Sequence, residues 1–309
     1  ALPSTLALPV IERMAELGRR HVDVSFLAAD PRQFDAIARS SGATIVYDCG
    51  VAPGLSHVLV GEAVRHMART TSVRIDVGGL PVEPVPPFFY KAPFAPIDVI
   101  EEYTRPARVV RNGRVTTLPA LSEPEAVNID EVGALEAFNT DGLRSLVDTV
   151  HADTMTERTL RYPGHLAIMQ ALADAGLFDT NPVVVDGRSV VPRDVTCALL
   201  FPHWRYALGE RDLTVLTVDV AGIGHDEAPC ACGWTLVDVP PSGAPLSSMA
   251  RTTAGPAAIV ARWLHAGVDI EPGIHPPERL GLDGHAPALL DALDARNIRV
   301  GRHRPPFTR

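Results

Sequence analysis

The sequence predicts an α/β protein in two lobes: a parallel, doubly wound sheet at the front of the chain, then a second α+β lobe with a mixed, partly antiparallel sheet. Three observations carry this. Between residues 6 and 53, segments of helical apolar spacing alternate with short β-branched runs, the pattern of parallel strands crossed by helices. The proline-rich stretch LPVEPVPPFFY (80–90) then breaks that rhythm, because proline donates no backbone hydrogen bond in a helix or central strand. Beyond it, ARVVRNGRVTTLPAL (107–121) sets Asn112-Gly113 between two extended runs, the strongest short hairpin signal.

In chain order, LALPVIERMAELG (6–18) has helical spacing and ends on Gly18, while HVDVSF (21–26) alternates as a strand. ADPRQFDAIARSSG (29–42) predicts a helix with Asp30 as N-cap and Pro31 in its first turn. TIVYDCG (44–50) is a second strand, followed by a helix near 54–69 and a strand over SVRIDVGGL (72–80). After the 107–121 hairpin come a helix at 141–150, a strand at 155–161 and helices near 164–175 and 192–200. The runs DLTVLTVDVAGI (212–223) and GWTLVDVP (233–240) flank a hairpin, and SMARTTAGPAAIVARWLHAG and APALLDALDARN are helical. No internal repeat or low-complexity segment is visible.

Composition narrows the function classes. At 309 residues the chain is long enough for two lobes, and 46% hydrophobic with 21% charged residues describes a globular protein with a substantial core. A net charge of -9 argues against nucleic acid as partner, since neutralising phosphates requires clustered Lys and Arg. Four cysteines (Cys49, Cys197, Cys230, Cys232) make no disulfide framework, which points to a reducing compartment and a cytoplasmic location. No apolar run approaches the roughly 18 residues of a membrane span, so no membrane partner is expected.

The chemistry concentrates at one corner. A parallel sheet binds ligands at the carboxyl ends of its strands, and the second strand ends on Asp48, Cys49 and Gly50, with His57 at the head of the next helix. Plainer roles compete: Cys49 as a small buried hydrophobe, His57 as a packing residue, Glu101-Glu102 as a solvated helix face, Asp141 as an N-cap before GLRSLV. No G-x-G-x-x-G occurs, since Gly222-Ile223-Gly224 is followed by HDE, and Gly54-Leu55-Ser56-His57-Val58 lacks the closing glycine of a nucleophile elbow. His225, Cys230 and Cys232 lack a clear fourth ligand, so no metal is expected.

The segments GGLPVEPVPPFFYKAPFAPIDVIEEYTRPARVVRNGRVTTLPALSEPE (78–125), FNTDGLRSLVDTV (138–150) and TERTLRYPGH (156–165), with SMARTTAGPAAIVARWL and PGIHPPERLG near the end, resemble the saccharopine dehydrogenase family. Within it they are most similar to the lysine 6-dehydrogenases. The resemblance implies that residues 1–53 are the rear part of a Rossmann-type dinucleotide-binding domain, its glycine-rich turn lying before Ala1. It further implies a substrate-binding and dimerisation domain at 54–248, and C-terminal helices at 249–309 that pack back on the first. A homo-oligomer, a dimer or higher, is the expected assembly.

The implied reaction is NAD-dependent oxidative deamination of the ε-amine of L-lysine, with NADP equally permitted and saccharopine as the alternative substrate. A non-catalytic binding or oligomerisation module is the reading of another class. An ammonium cannot give hydride. With a pKa of about 10.4, only about one lysine amine in a thousand is neutral near pH 7.4, a deficit of about 4 kcal/mol. A base is needed, and the resemblance offers His57 and Asp48, His57 first because its pKa lies near working pH. For the substrate it offers Tyr90, Lys91, Asn139, Thr140, Asp141 and Arg161, and for the cofactor Leu2, Pro3, Cys49 and Gly50. Ile97 stands where glutamate-forming relatives carry an Arg suited to extra carboxylates, which favours lysine over saccharopine.

Overall fold

The computed structural model describes residues 4–27 and 29–305. Helix α1 (Ser4–Glu16) leads to strand β1 (Arg20–Val22). A 3-10 turn at Pro31–Phe34, capped by the Asp30 carboxylate on the Arg32 amide, opens α2 (Asp35–Ser41), which Gly42 ends at φ 80° before β2 (Thr44–Val46). Helix α3 (Leu55–Val64), the long strand β3 (Met67–Pro81), the proline-rich connection and α4 (Pro96–Thr104) follow. Strands β4 (Ala107–Arg111) and β5 (Arg114–Leu118) form the expected hairpin about Asn112-Gly113. A second hairpin, β6 (Glu125–Ile129) and β7 (Gly133–Asn139), precedes α5 (Leu146–Thr149), β8 (Ala152–Arg161) and α6 (His165–Asp174). Then come the small hairpin β9 (Val183–Val185) and β10 (Arg188–Val190), α7 (Pro192–Leu200), and the paired strands β11 (Asp212–Gly224) and β12 (Pro229–Asp238). The chain closes with α8 (Ser248–Ala266), β13 (Gly273–His275), α9 (Glu278–Leu282), α10 (Ala286–Asp294) and β14 (Gly301–His303).

Two larger sheets result. One is parallel and three-stranded, in the order β1-β2-β13, with Ile45 of β2 opposite His21 on one side and Ile274 on the other. The chain therefore returns from its far end to complete the first lobe, and the Arg20 guanidinium donates to the Leu264 carbonyl of α8 at 2.5 Å. The other sheet has nine strands, ordered β14-β12-β11-β3-β8-β4-β5, with β7 and β6 continuing from β8. Its β3–β8 pair is parallel and its other pairs are antiparallel, which makes the sheet mixed, as expected.

Helix α3 sits between the sheets, with Leu55–Ala63 all buried, as befits a helix apolar on every side. It meets α9 through Gly61 and Gly281. A Cβ on Gly61 would lie 2.2 Å from the Glu278 carbonyl oxygen, so no larger residue fits that crossing. One core joins α3 to β3, β11, β12, α8 and α10 through residues such as Leu59, Ile75, Val218, Trp234 and Val260. A second, aromatic core gathers Tyr90, Tyr103, Phe138 and Trp204.

The helix expected over 141–150 shrinks to Leu146–Thr149. Asp141 does not cap it: Arg108 grips that carboxylate from the neighbouring strand with Nε at 2.8 Å and Nη2 at 3.3 Å. An ion pair between distant residues overrides the local capping pattern, leaving 141–145 as loop.

Candidate active site

The β2 strand stops where its backbone must turn. Asp48 takes φ 50° in the left-handed region, which Asp tolerates better than most residues. Beyond it Gly50 and Gly54 form a tight corner in which the Gly50 amide donates to the Pro53 carbonyl at 3.0 Å. Gly54 adopts φ 132°, and a Cβ there would lie 2.1 Å from the Gly50 carbonyl oxygen. The corner thus requires glycine at 54, and it delivers Asp48 to the carboxyl end of β2.

A cleft of about 210 Å³ opens there, lined by Ala29, Asp30, Pro31, Arg32, Tyr47, Asp48, Arg105, Arg108, Asp141, Arg144 and Ser145. That suits a metabolite the size of an amino acid, since drug-sized pockets start near roughly 300 Å³. At its base the Arg144 Nε donates to Asp48 Oδ2 at 2.9 Å and its Nη2 donates to the Leu27 carbonyl at 2.8 Å. Arg144, like Asp48, sits at φ 50°. Both partners of one ion pair therefore hold a sparsely populated backbone conformation, a feature that clusters at functional sites.

The other Asp48 oxygen, Oδ1, is buried and has no hydrogen-bond partner among the described residues. Burial raises the Asp48 carboxyl above its ordinary range against the pull of Arg144, with Asp23 and Asp30 adding in the same direction as burial. In the same lining, Arg105 Nη1 is likewise buried without a partner among the described residues, although Nη2 of the same side chain donates to Glu101 at 3.3 Å. The guanidinium carbons of Arg105 and Arg144 lie 4.4 and 4.8 Å from the centre of the Phe26 ring. A further depression of about 220 Å³ is lined by Val110, Val115, Val147 and Val150. Its Arg69 and Asp153 pair with each other at 2.6 Å, which leaves little chemistry there.

The structure brings Asp48 and Asp141 to the cleft, and the other expected site residues that it describes lie outside the cleft lining. His57 is wholly buried: its Nδ1 meets the Ser56 hydroxyl at 3.0 Å and its Nε2 meets the Leu143 carbonyl at 3.1 Å. The carbonyl can only accept, so Nε2 carries the proton and Nδ1 accepts from Ser56. Burial pushes its pKa down to about 3. Both His57 nitrogens are engaged and the ring lies outside the cleft lining, so the side chain ties Ser56 to the 141–145 loop. Cys49 packs in the core with its thiol pushed up to about 12 by burial, and Gly50 serves the corner. Leu2 and Pro3 lie outside the described residues.

Arg161 is spent inside the aromatic core, donating to Glu102 at 2.6 Å, the Tyr103 hydroxyl at 3.1 Å and the Leu160 carbonyl at 2.9 Å. Tyr90 stacks on it, the guanidinium carbon 4.5 Å from the ring centre. Glu102 is thereby an ion-pair partner and not part of a solvated face. Lys91 pairs with Glu210, and Asn139 donates to Glu123 at 2.9 Å. Thr140 donates to Glu157 at 2.6 Å, so neither polar neighbour of Asp141 points its bonding capacity at the cleft. The residues not anticipated are Arg144, Arg105, Arg108, Arg32 and Tyr47. A cation inside the run GLRSLV was the available signal for Arg144.

Comparison with known proteins places this geometry. The family described as saccharopine dehydrogenase C-terminal domain matches residues 50–298. The chain is 27% identical over 206 residues to the alpha-aminoadipic semialdehyde synthase of Arabidopsis thaliana, which covers 61% of this chain and 19% of that protein. It is 23% identical over 200 residues to the mitochondrial enzyme of the same name from Bos taurus, 58% of this chain and 21% of that one. The matched stretch therefore spans about a fifth of these relatives' length. Among solved structures, the L-Glu forming saccharopine dehydrogenase of Saccharomyces cerevisiae shares the fold at TM-score 0.77 and 19% identity, over 98% of this chain and 84% of that chain. The homospermidine synthase of Legionella pneumophila, solved with NAD, aligns at TM-score 0.56 and 12% identity, over 100% and 80%.

Proposed function

The chain belongs to the saccharopine dehydrogenase family, and from that premise we propose that its cleft oxidises the C–N bond of an amino-acid substrate with a nicotinamide dinucleotide. The carrying observation is Asp48 Oδ1, a buried acceptor without a partner among the described residues at the carboxyl end of a parallel strand. That is where ligands meet such sheets. The fit concerns the reacting end of the cofactor, because the sequence holds no G-x-G-x-x-G turn to cradle its phosphates. Tyr47, Asp48 and Arg144 are the residues that would border the nicotinamide end.

A nicotinamide bordered by Tyr47, Asp48 and Arg144 would supply the acceptor for the hydride on the carbon that carries the substrate nitrogen. Before that, the ammonium must lose a proton, and Asp48 Oδ1 accepts it while Arg144 holds Oδ2 and fixes the plane of the carboxylate. The raised pKa of Asp48 suits this work, since a base acts best with a pKa near the working pH. Loss of hydride leaves a carbon–nitrogen double bond in the substrate. Returning its proton, Asp48 then assists as water adds and the carbonyl product and amine separate.

Between L-lysine and saccharopine, the charge of the cleft supports saccharopine. Four arginines (Arg32, Arg105, Arg108, Arg144) line it against three aspartates (Asp30, Asp48, Asp141), which suits a substrate with extra carboxylates. Ile97, the reason for expecting lysine, is 43% exposed and does not line the cleft. The test is NAD reduction by the full protein with each compound. A higher kcat/KM for saccharopine is expected. Turnover of lysine alone would reverse the choice of substrate, and turnover of neither, despite binding measured by calorimetry, would leave a binding module.

A further inference from the structure

We propose that Arg105, held over the Phe26 ring, is the specificity-determining anchor for a substrate carboxylate, acting in the same cleft in which Asp48 Oδ1 meets the substrate nitrogen. This rests on the amine-oxidising reading above and says which side chain selects the substrate.

The argument starts from what the cleft leaves unfilled. Carboxylates of this chain engage all four arginines, three of them closely: Arg32 binds Asp30 at 2.7 Å and Asp148 at 2.5 Å, Arg108 grips Asp141 at 2.8 Å, and Arg144 holds Asp48 at 2.9 Å. Arg105 is different. The carboxylate it pairs with among the described residues, Glu101, is reached by Nη2 alone at 3.3 Å, and Nη1 is buried with no partner among them. A buried N–H of a permanently charged group without an acceptor is costly, and an incoming carboxylate oxygen removes that cost. Position is fixed from two sides. The Arg105 amide closes α4 by donating to the Glu101 carbonyl at 2.9 Å, and the Phe26 ring lies 4.4 Å from the guanidinium carbon, well inside cation–π range.

Phe26 also supports Arg144 at 4.8 Å, so one ring sets the spacing between the guanidinium that orients the base and the one that awaits an anion. Among the described residues that line the cleft, the buried groups without a partner are an acceptor, Asp48 Oδ1, and a donor, Arg105 Nη1. Together they read a molecule with a protonated nitrogen at one point and a carboxylate at another. A simple alkylamine would leave Arg105 unanswered and should bind poorly.

Glutarate, a dicarboxylate without an amine, is the probe, because its binding needs neither cofactor nor turnover. Calorimetric titration of the full protein should show glutarate binding that Arg105→Gln weakens by about 10- to 100-fold, the scale of a charge-assisted hydrogen bond. Phe26→Leu should weaken it less. Arg114→Gln, which removes an exposed arginine from a hairpin tip, should leave it unchanged and so separates the anchor from a net-charge effect. Should Arg105→Gln fail to fold, Arg105→Lys keeps the charge, loses the fork and should bind several-fold more weakly. Glutarate affinity equal to wild type in a folded Arg105 variant, or no glutarate binding by wild type, would overturn the proposal. The two readings fail separately. Arg105-sensitive glutarate binding without any amine oxidation keeps the anchor and removes the activity, whereas turnover with a KM indifferent to Arg105 does the reverse.

Discussion

Arg144 and Arg161 are both buried arginines, each held by a carboxylate, yet their surroundings differ in one decisive respect. Each nitrogen of Arg161 has an acceptor: Glu102, the Tyr103 hydroxyl and the Leu160 carbonyl accept from it, and Tyr103 in turn meets His165 Nε2 at 2.8 Å, although the Tyr90 hydroxyl and Trp204 Nε1 of the same core are buried without a partner among the described residues. Around Arg144 the network stops short. Its partner Asp48, in the cleft lining, keeps one buried oxygen without a hydrogen-bond partner among the described residues, and both residues hold left-handed backbone. A closed network fixes structure, while an open one retains bonding capacity for a ligand. The two arginines look alike in sequence, each within a short apolar run, and only their tertiary surroundings tell them apart.

The largest effects follow from cutting each network at its carboxylate. Asp48→Asn removes the base and should lower kcat by about 10³-fold, within the usual range for general base catalysis, with a much smaller change in KM. Steady-state kinetics on the folded variant checks this, and retention of more than a tenth of wild-type kcat would break the comparison. Glu102→Gln should do the opposite. It leaves Arg161 a buried cation without its counter-charge, which costs about 3–5 kcal/mol of stability, while the folded fraction keeps its kcat. Urea unfolding and active-site-normalised rates separate the two outcomes.

How far the sequence reveals this site depends on the range of the forces that build it. Periodicity and turn chemistry act locally, so the alternating front lobe, the Asn112-Gly113 hairpin and the 212–240 strand pair are legible in it. Strand β13 is not, because three residues become a strand only by lying against β2, more than two hundred positions earlier. The same limit governs the site. Asp48 is readable from its place at a strand end, but Arg144 and Arg105 belong there only through tertiary packing on Asp48 and Phe26. His57 misleads for a related reason: a histidine beside a glycine-rich corner has the chemistry of a base, and only its bonds to Ser56 and Leu143 show that the ring is spent.

That latch gives an intermediate effect. His57→Leu leaves the Ser56 hydroxyl and the Leu143 carbonyl unpartnered, and should cost about 1–3 kcal/mol of stability. Because Leu143 precedes Arg144, the variant should also lower kcat several-fold through a loosened ion pair. Its pKa near 3 means that His57 is neutral throughout ordinary assay conditions. The acid limb of the pH–rate profile should therefore survive in His57→Leu and vanish in Asp48→Asn. A limb lost with His57 would return the base to the histidine.

The smallest effect sharpens the comparison from a third carboxylate. Glu157 is buried beneath the cleft loop, bonded to the Thr140 hydroxyl at 2.6 Å and the Gly142 amide at 3.0 Å, with no guanidinium in its grasp. Burial raises its pKa to about 8, and Glu102 and Asp76 push the same way against the hydrogen bonds from Thr140 and Gly142. Between the ordinary carboxyl value and about 8 the native state thus holds a proton that the unfolded chain has released. The unfolded state then binds fewer protons, so stability falls as pH rises, by up to about 1.4 kcal/mol per unit across that window. Above it the native carboxylate is ionised as well and this contribution levels off. Glu157→Gln keeps the shape without the titration and should flatten the fall, which unfolding curves at a series of pH values would measure. An unchanged slope in the variant would mean that Glu157 is ionised in the native protein, and that dipoles alone can hold a charge where Asp48 and Glu102 each have an arginine.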